Sequence, residues 1–268
     1  MKTIFYLSKY FANIIKYNIL FSFKKVSTEI DLDTIVSVTS YKKRINTRFI
    51  LSLKSLLFQS KRPLYIVVYL TDLDFENHFY FLESYFYKYK NIVKFKKSFD
   101  YLSYKKITPP LKDFPNKFIV TADDDIIYPF DWFKRLSENK SKDFLVFFRS
   151  HSFSLVNKSI PDYNLWNFEK YNTLEFNCPT TGAGICFFNG LIEFEDYDYE
   201  LIKKYFSTCD DLFLFYLLHK KNIKIKFIGK SNLIFLYDPI LKNYNLNNIN
   251  LIKNNITIKY LNENLQLK

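Results

Sequence analysis

KFIVTADDDIIYP, residues 117–129, joins an unbroken apolar run to three successive aspartates, Asp123, Asp124 and Asp125, and then to a proline. A short run of β-branched and aromatic residues with no polar alternation predicts a strand buried on both faces. Carboxylates placed directly after such a strand lie where open α/β sheets bind their ligands, outside the carboxyl ends of the strands. Pro129 predicts the opening of the next helix, over 129–138.

Outward from this stretch the same pattern recurs. Apolar runs stand at 35–38 (IVSV), 65–70 (YIVVYL), 92–95 (IVKF), 144–148 (FLVFF) and 185–188 (ICFF). Helix-like stretches at 45–59, 76–89, 129–138 and 198–206 lie between several of them. The alternation predicts an α/β fold, a mostly parallel central sheet flanked by helices in a single main domain. That domain is expected over 34–230, after an N-terminal segment (1–33) and before an Asn-rich C-terminal extension (231–268), which is either helical or loosely ordered. There is no internal repeat.

Three adjacent carboxylates repel one another unless a cation or hydrogen bonds compensate them. Aspartate oxygens, together with those of a diphosphate, suit a hard divalent ion such as Mg²⁺ or Mn²⁺. The alternative is a turn with an N-capping aspartate. D-x-D strings also occur at 31–33, 72–74 and 196–198. The first precedes the expected first strand and the last lies in an acidic, solvated stretch, so Asp72 and Asp74 are the real competitor.

A second acidic group opens STCDDLFLFYLLHKK, 207–221. Ser207 or Thr208 can cap a helix whose first turn holds Asp210 and Asp211, where the helix dipole favours their ionised forms. The residues that follow are apolar on every side, which predicts a buried helix. Either aspartate can serve as general base on a hydroxyl, or simply as ordinary first-turn acid. Upstream, CPTTGAGICFF (178–188) holds Gly182 and Gly184, which permit either close backbone approach to a ligand or a tight turn. Lys105 and Lys106 can neutralise phosphate, and Thr39, Ser40, Tyr41 and Arg44 can contact a nucleotide. Arg149 and His151 follow the strand 144–148. His219, in mid-helix, reads as filler.

The composition narrows the chemistry further. All four glycines lie at or after Gly182, so the first 181 residues contain none. This excludes a dinucleotide-binding G-x-G-x-x-G turn, a P-loop and a G-x-S-x-G elbow. The net charge of +12 comes mostly from lysine, which supplies 34 of the basic residues (39 less the arginines at 44, 48, 62, 135 and 149). With abundant Asn, Ile, Phe and Tyr, this is the coding bias of an AT-rich genome, and it does not make nucleic acid an expected partner. Three cysteines, 178, 186 and 209, have no C-x-x-C spacing and fit a reducing, cytoplasmic setting. The three histidines form no H-E-x-x-H, so a zincin site is excluded.

In residues 1–24, Lys2, Lys9 and Lys16 leave the apolar stretch too short for a spanning helix, and no signal-peptide cleavage site follows. Lys2, Lys9, Asn13, Lys16 and Lys24 fall within roughly 80° of helical arc. The two readings are an amphipathic helix on an anionic membrane surface and a helix packed on the domain with its lysines solvated.

VSVTSYKKRI (36–45), SYKKITPPLKDFP (103–115), IVTADDDIIYP (119–129), RSH (149–151), TGAG (181–184) and CDDLFLF (209–215), taken in order, resemble bacterial glycosyltransferases of the GT-A fold, of the large family-2-like group. The resemblance spans about 34–228. It implies a nucleotide-sugar donor, a carbohydrate or glycolipid acceptor, and a role in surface polysaccharide or lipooligosaccharide synthesis. It also implies Mn²⁺ or Mg²⁺ held through Asp125, the principal ligand, with Asp123. Thr39, Ser40, Tyr41, Arg44, Lys105, Asp123 and Asp124 would contact the nucleotide or donor. Gly182, Gly184, Arg149 and His151 would lie at the acceptor or donor-sugar loop, and Asp211 or Asp210 would be the base. TGAG is less glycine-rich than such enzymes lead one to expect, and 152–177 matches no motif. The expected location is cytoplasmic, peripheral on the inner face of the cytoplasmic membrane under the membrane reading.

A metal is what the glycine shortage calls for. A departing nucleoside diphosphate gains negative charge, which a divalent cation stabilises where no glycine loop offers backbone amides. A base on the opposite side of the sugar predicts inversion at the anomeric carbon. Two alternatives use the same residues differently: a nucleotidyltransferase or phosphohydrolase, and a basic membrane- or nucleic-acid-associated protein whose aspartates only cap turns.

Overall fold

The computed structural model describes residues 2–167, 174–207, 209–236 and 247–267. Helix α1 (Lys2–Ser22) leads into β1 (Ile30–Thr39), α2 (Thr47–Leu57), β2 (Arg62–Leu70), α3 (Asp72–Phe86) and β3 (Val93–Lys97). A 3-10 turn (Leu102–Lys106) and α4 (Thr108–Asp113) precede β4 (Phe118–Ala122), a short β5 (Ile126–Ile127), α5 (Trp132–Asn139) and β6 (Phe144–Phe147). Then come β7 (Ser150–Phe153), β8 (Phe176–Pro179), a single turn α6 (Thr181–Gly184), β9 (Ile185–Phe188), α7 (Tyr199–Tyr205), α8 (Asp210–Lys220), β10 (Lys224–Phe227), β11 (Ile234–Phe235) and α9 (Asn247–Asn264).

Seven strands form one sheet in the order β10-β6-β9-β4-β1-β2-β3. All neighbours are parallel except β9, which runs antiparallel between β4 and β6 with Val120 opposite Cys186. The fold is thus mixed α/β with a mostly parallel central sheet flanked by helices. Because β9 runs backwards, its amino-terminal end lies beside the carboxyl end of β4. That reversal brings the TGAG turn next to the three aspartates.

Successive strand residues face opposite layers, as period-two geometry requires. Val36, Val38 and Val120 pack with α2, α5 and part of α1, whereas Ile35, Ile119, Leu145 and Phe147 pack with α4, α7, α8 and α9. Each such buried side chain contributes on the order of 2 kcal/mol. The expected burial of the helix after Asp211 is observed, since Leu212 to Leu218 are all buried.

Several boundaries differ from expectation for identifiable reasons. β1 begins at Ile30, so the 31–33 string lies within the strand. Asp31 is tolerated there because Lys140 Nζ, Ser137 Oγ and Thr34 Oγ1 all donate to it. α3 begins at Asp72, capped by Thr71, and α5 begins at Trp132 rather than Pro129. The Pro129 carbonyl instead accepts from Gln59 Nε2 (2.9 Å) and Trp132 N (3.1 Å), closing a turn. Helix α8 has Cys209 at its N-cap, not Ser207, and its first-turn carboxylates are turned to Thr181. Thr208, residues 168–173 of the unmatched 152–177 stretch and 237–246 of the Asn-rich stretch lie outside the described residues. The extension supplies α9, whose Ile258 and Leu261 are buried in the second core layer.

Candidate active site

The end of β4 is organised around Asp124. Its carboxylate is buried and accepts from Ser40 Oγ (2.6 Å) and Arg44 Nε (2.9 Å), with a further short bond from Arg44 Nη2. Burial alone would raise the Asp124 pKa. The two-pronged Arg44 contact and the Ser40 bond outweigh it and hold the carboxyl below its ordinary range. Arg44 Nη2 also lies 3.1 Å from Asp125 Oδ2. Burial and the neighbouring Asp124 charge push Asp125 the other way, up to about 6.

Asp123 points to the other side. Lys106 Nζ donates to its Oδ1 (2.5 Å) and also lies 3.0 Å from Asp210 Oδ2. One buried lysine therefore joins the β4 aspartates to the first turn of α8. Burial would depress the Lys106 pKa, but the charges of Asp123 and Asp210 raise it, so the ammonium stays protonated. Thr181 completes the junction. Its N–H donates to Asp211 Oδ1 (2.8 Å), and its hydroxyl sits between Asp210 Oδ2 (2.7 Å) and Asp211 Oδ1 (2.8 Å).

Burial acts on both α8 aspartates, yet their partners separate them. Lys106 and Thr181 hold Asp210 low, while burial and the adjacent Asp210 charge push Asp211 up to about 7. A carboxyl poised there accepts a proton efficiently near neutral pH.

The two glycines make room for the protein's own side chains. A Cβ on Gly182 would stand 1.9 Å from Asp123 Oδ2, and one on Gly184 would stand 2.6 Å from the Trp132 indole. Gly184 also has φ +106°, a backbone region that disfavours any side chain. The close approach they permit is therefore by the protein's own Asp123 and Trp132. Tyr128 pins the arrangement, its hydroxyl accepting from Asp123 N (2.7 Å) and donating to the Gly182 carbonyl (2.7 Å).

Other expected residues are placed as follows. Thr39 Oγ1 donates to the Tyr69 carbonyl within the sheet, and Tyr41 is partly exposed with its ring 5.7 Å from the Arg44 guanidinium. Lys105 is buried against Asp100 (2.6 Å), on the opposite side of the 3-10 turn from Lys106. Arg149 lies over the Phe235 ring at 5.6 Å, while its carbonyl accepts from Thr180 N. His151 is buried beside Tyr163, and burial followed by the Arg149 charge lowers its pKa to about 3, so the imidazole is neutral. The rival pair at 72–74 is structural: buried Asp74 accepts from Lys42 N and Thr71 Oγ1 (both 2.8 Å).

Three participants were not singled out from the sequence: Thr181, Tyr128 and Arg48. Arg48 is buried one turn after Arg44, donates to the Leu236 carbonyl (3.0 Å), and its charge acts on Asp124 and Asp125. A signal for it existed. In a chain that uses lysine almost everywhere, arginines four residues apart mark places where a planar, multidentate cation is required.

Five carboxylates (Asp123, Asp124, Asp125, Asp210 and Asp211) thus share three cationic side chains, Arg44, Arg48 and Lys106. Among the described residues no group of three or more His, Cys, Asp or Glu side chains is placed to hold a metal ion. The open positions are Asp123 and Asp125, whose side chains are 37% and 31% exposed, against 5% for Asp124. These two carboxylates could contribute oxygens to a divalent cation only with a ligand's oxygens completing the shell.

No family model matches the chain, and no curated protein matches it in sequence. It is similar in structure to the inositol-1-phosphate CTP transferase from T. maritima, with 12% identity and a TM-score of 0.39 over 84% of this chain and 96% of that one. It is also similar to the mannosyltransferase PcManGT from Pyrobaculum calidifontis, in complex with GDP-Man and Mn²⁺, with 9% identity and a TM-score of 0.35 over 55% and 46%. A Bacillus anthracis structure with sucrose, described as a glucose-1-phosphate thymidylyltransferase, has 8% identity and a TM-score of 0.42 over 76% and 89%. At these values the likeness assigns no role to any residue.

Proposed function

We propose that this protein is a glycosyltransferase that moves a sugar from a nucleotide-sugar donor to a hydroxyl of a carbohydrate or glycolipid acceptor. The observation that carries the reading is the Lys106 junction. It joins Asp123, at the carboxyl end of β4 and next in sequence but one to the partly open Asp125, to Asp210, whose neighbour Asp211 is poised near neutrality.

In this reading Asp211 takes the proton of the acceptor hydroxyl as that oxygen bonds to the anomeric carbon. The bond from that carbon to the nucleoside diphosphate breaks, and its electron pair leaves with the phosphate. Displacement on one side and departure on the other supports inversion. Lys106 and Thr181 orient the base, Arg44 and Ser40 hold Asp124, and Tyr41 offers a ring face to the nucleotide. Asp125 and Asp123 would hold Mn²⁺ or Mg²⁺, which when bound supplies charge stabilisation to the leaving diphosphate. The acidic balance also favours glycosyl over nucleotidyl transfer. A triphosphate and a sugar phosphate together would bring more negative charge than three shared cations can meet. The acceptor class we propose is the surface polysaccharide or lipooligosaccharide implied by the sequence resemblance.

The test is incubation with UDP-, GDP- and CMP-sugars with and without Mn²⁺, followed by assay of released nucleotide. Metal-dependent release of nucleotide that Asp125→Ala reduces at least a hundredfold is expected. Release of sugar 1-phosphate would move the assignment to phosphoryl chemistry. Absence of turnover and of nucleotide binding across the panel would refute the enzyme reading.

A further inference from the structure

The N-terminal helix presents a surface that the catalytic reading leaves unused. Over residues 11–22 of α1, one face packs on the domain. Tyr17 and Phe21 are buried, with the Phe21 ring 5.9 Å from Phe58. A second face carries Ile15 and Ile19, 59% and 57% exposed, and Phe23, in the turn just past the helix, is 83% exposed. At ~100° per residue, Lys16 follows on the flank of this row.

The apolar row does not stand alone. Lys54 of α2 donates to Asn18 of α1 (3.2 Å), and its ammonium lies 5.7 Å from the Tyr85 ring of α3. Phe81 and Tyr85 of α3, also exposed, meet edge to face at 5.3 Å. Two helices on one side of the sheet therefore offer adjoining apolar and aromatic edges. Just beyond α3, Lys88 and Lys90 alternate with Tyr87 and Tyr89, and Lys90 lies 4.8 Å from the Tyr87 ring.

Charge identifies the occupant. Residues 1–28 contain no aspartate or glutamate and five lysines, at 2, 9, 16, 24 and 25. A second copy of the chain seated on this face would set lysine against lysine. An anionic lipid surface instead supplies the opposite charge along the whole row and an apolar layer beneath it. Tyrosine rings and lysine stems suit that boundary, each with an apolar body and a polar end. Among the described residues no helix is long and apolar enough to cross a bilayer. We infer that α1, with the adjoining edge of α3, docks the protein flat on an anionic membrane. This goes beyond the catalytic reading and does not depend on it.

The full chain is to be sedimented with vesicles of phosphatidylcholine containing about one third phosphatidylglycerol, and with phosphatidylcholine alone, a contrast built on anionic charge. Binding to the anionic vesicles is expected, with roughly fivefold loss for each lysine contact removed by salt or neutral lipid. Ile15→Glu with Ile19→Glu should lower partitioning at least about tenfold at unchanged melting temperature, since both side chains face solvent. If melting shifts, Tyr85→Glu on the other helix is read instead, with an expected loss of about threefold. No binding by the native chain, equal binding to both vesicle types, or undiminished binding by a correctly folded variant would overturn the inference. So would a concentration-dependent dimer that the double variant abolishes while vesicles remain unbound.

Discussion

Replacing Lys106 with methionine keeps most of the side chain's length and removes the charge that joins the two aspartate groups. The native side chain is 4% exposed, and its ammonium lies 2.5 Å from Asp123 Oδ1 and 3.0 Å from Asp210 Oδ2. Breaking a buried ion pair by deleting one member costs about 3–5 kcal/mol, because the remaining charge is left without compensation. The two carboxylates differ here. Asp123, 37% exposed, can recover water, so its share is strongly screened. Asp210, 13% exposed, recovers little, and it keeps the Thr181 hydroxyl and its own backbone N–H as partners. The expected loss is therefore at the lower end, about 3 kcal/mol. For a chain of this size that lowers Tm by roughly 6–12 °C.

The pH dependence distinguishes this cause from simple repacking. In the native protein Lys106 and Thr181 hold the Asp210 pKa below its unfolded value. That contribution is complete above the unfolded carboxylate pKa, about 4, and is lost as pH falls through the lower folded value. Lys106 has a raised pKa, so its contribution is complete below the unfolded lysine value and stays constant from acid to neutral pH. In the variant, burial acts on Asp210 with little opposition, its pKa rises, and a penalty grows as pH climbs above about 4. The deficit should be widest at neutral pH and narrow in mild acid. Urea unfolding of both proteins across that range measures it. A deficit under about 1 kcal/mol at neutral pH, or one that does not vary with pH, would refute the assignment of Lys106 as the electrostatic bridge.

Asp211→Asn should lower turnover by about two to four orders of magnitude while raising stability. The raised native pKa means that native Asp211 costs stability increasingly from its unfolded pKa up to about 7, and fully above it. The amide escapes that cost, so unfolding at mildly alkaline pH should show a gain of about 1–2 kcal/mol; a loss there, or undiminished turnover, contradicts the role. Gly182→Ala places a Cβ where Asp123 Oδ2 now lies. Displacing that carboxylate should reduce metal-dependent turnover at least tenfold while costing only about 1–3 kcal/mol of stability. Native-like turnover would show that the position of Asp123 does not matter.

The strands at 118–122 and 185–188 were legible to the residue because apolar runs buried on both faces have no other good use in a chain of this kind. The start of β1 was not. Asp31 reads as a loop residue until Lys140 is placed beside it, and that partner is 109 residues away. The short pairs β5–β11 and β7–β8 likewise depend on distant partners. At the site, the aspartates could be found from the sequence because carboxylates after a buried strand are costly unless used. The choice between Lys105 and Lys106 could not. Adjacent lysines in a 3-10 turn face different directions, and only the fold shows that one meets Asp100 and the other the aspartate junction. The glycines read as room for a ligand or as a tight turn; they form a single turn, and Asp123 and Trp132 pack against it.

The shortage of glycine and the behaviour of the acidic groups have a common physical root. Without a glycine loop, backbone amides cannot be brought to an anion, and the site has to be organised by side-chain charge instead. Each acidic group then divides into a fixed and a responsive member. Asp124 is fixed by Arg44 and Ser40, and burial, reinforced by its settled charge, raises Asp125 beside it. Asp210 is fixed by Lys106 and Thr181, and burial, reinforced by its settled charge, raises Asp211 beside it. The same mechanism operates twice: a committed carboxylate in a buried setting drives its neighbour toward neutrality. The consequences differ with exposure. Asp125, partly open and near a surplus of negative charge, is suited to a cation, while Asp211, enclosed with Thr181, is suited to a proton. If this division is correct, Arg44→Lys should disturb the Asp125 side alone. A single ammonium cannot reproduce the two-pronged grip on Asp124. Metal affinity, read as the Mn²⁺ concentration giving half-maximal turnover, should weaken about tenfold, with the pH profile set by Asp211 unmoved. A shift of that profile with metal dependence unchanged would show that the two groups are not separately controlled.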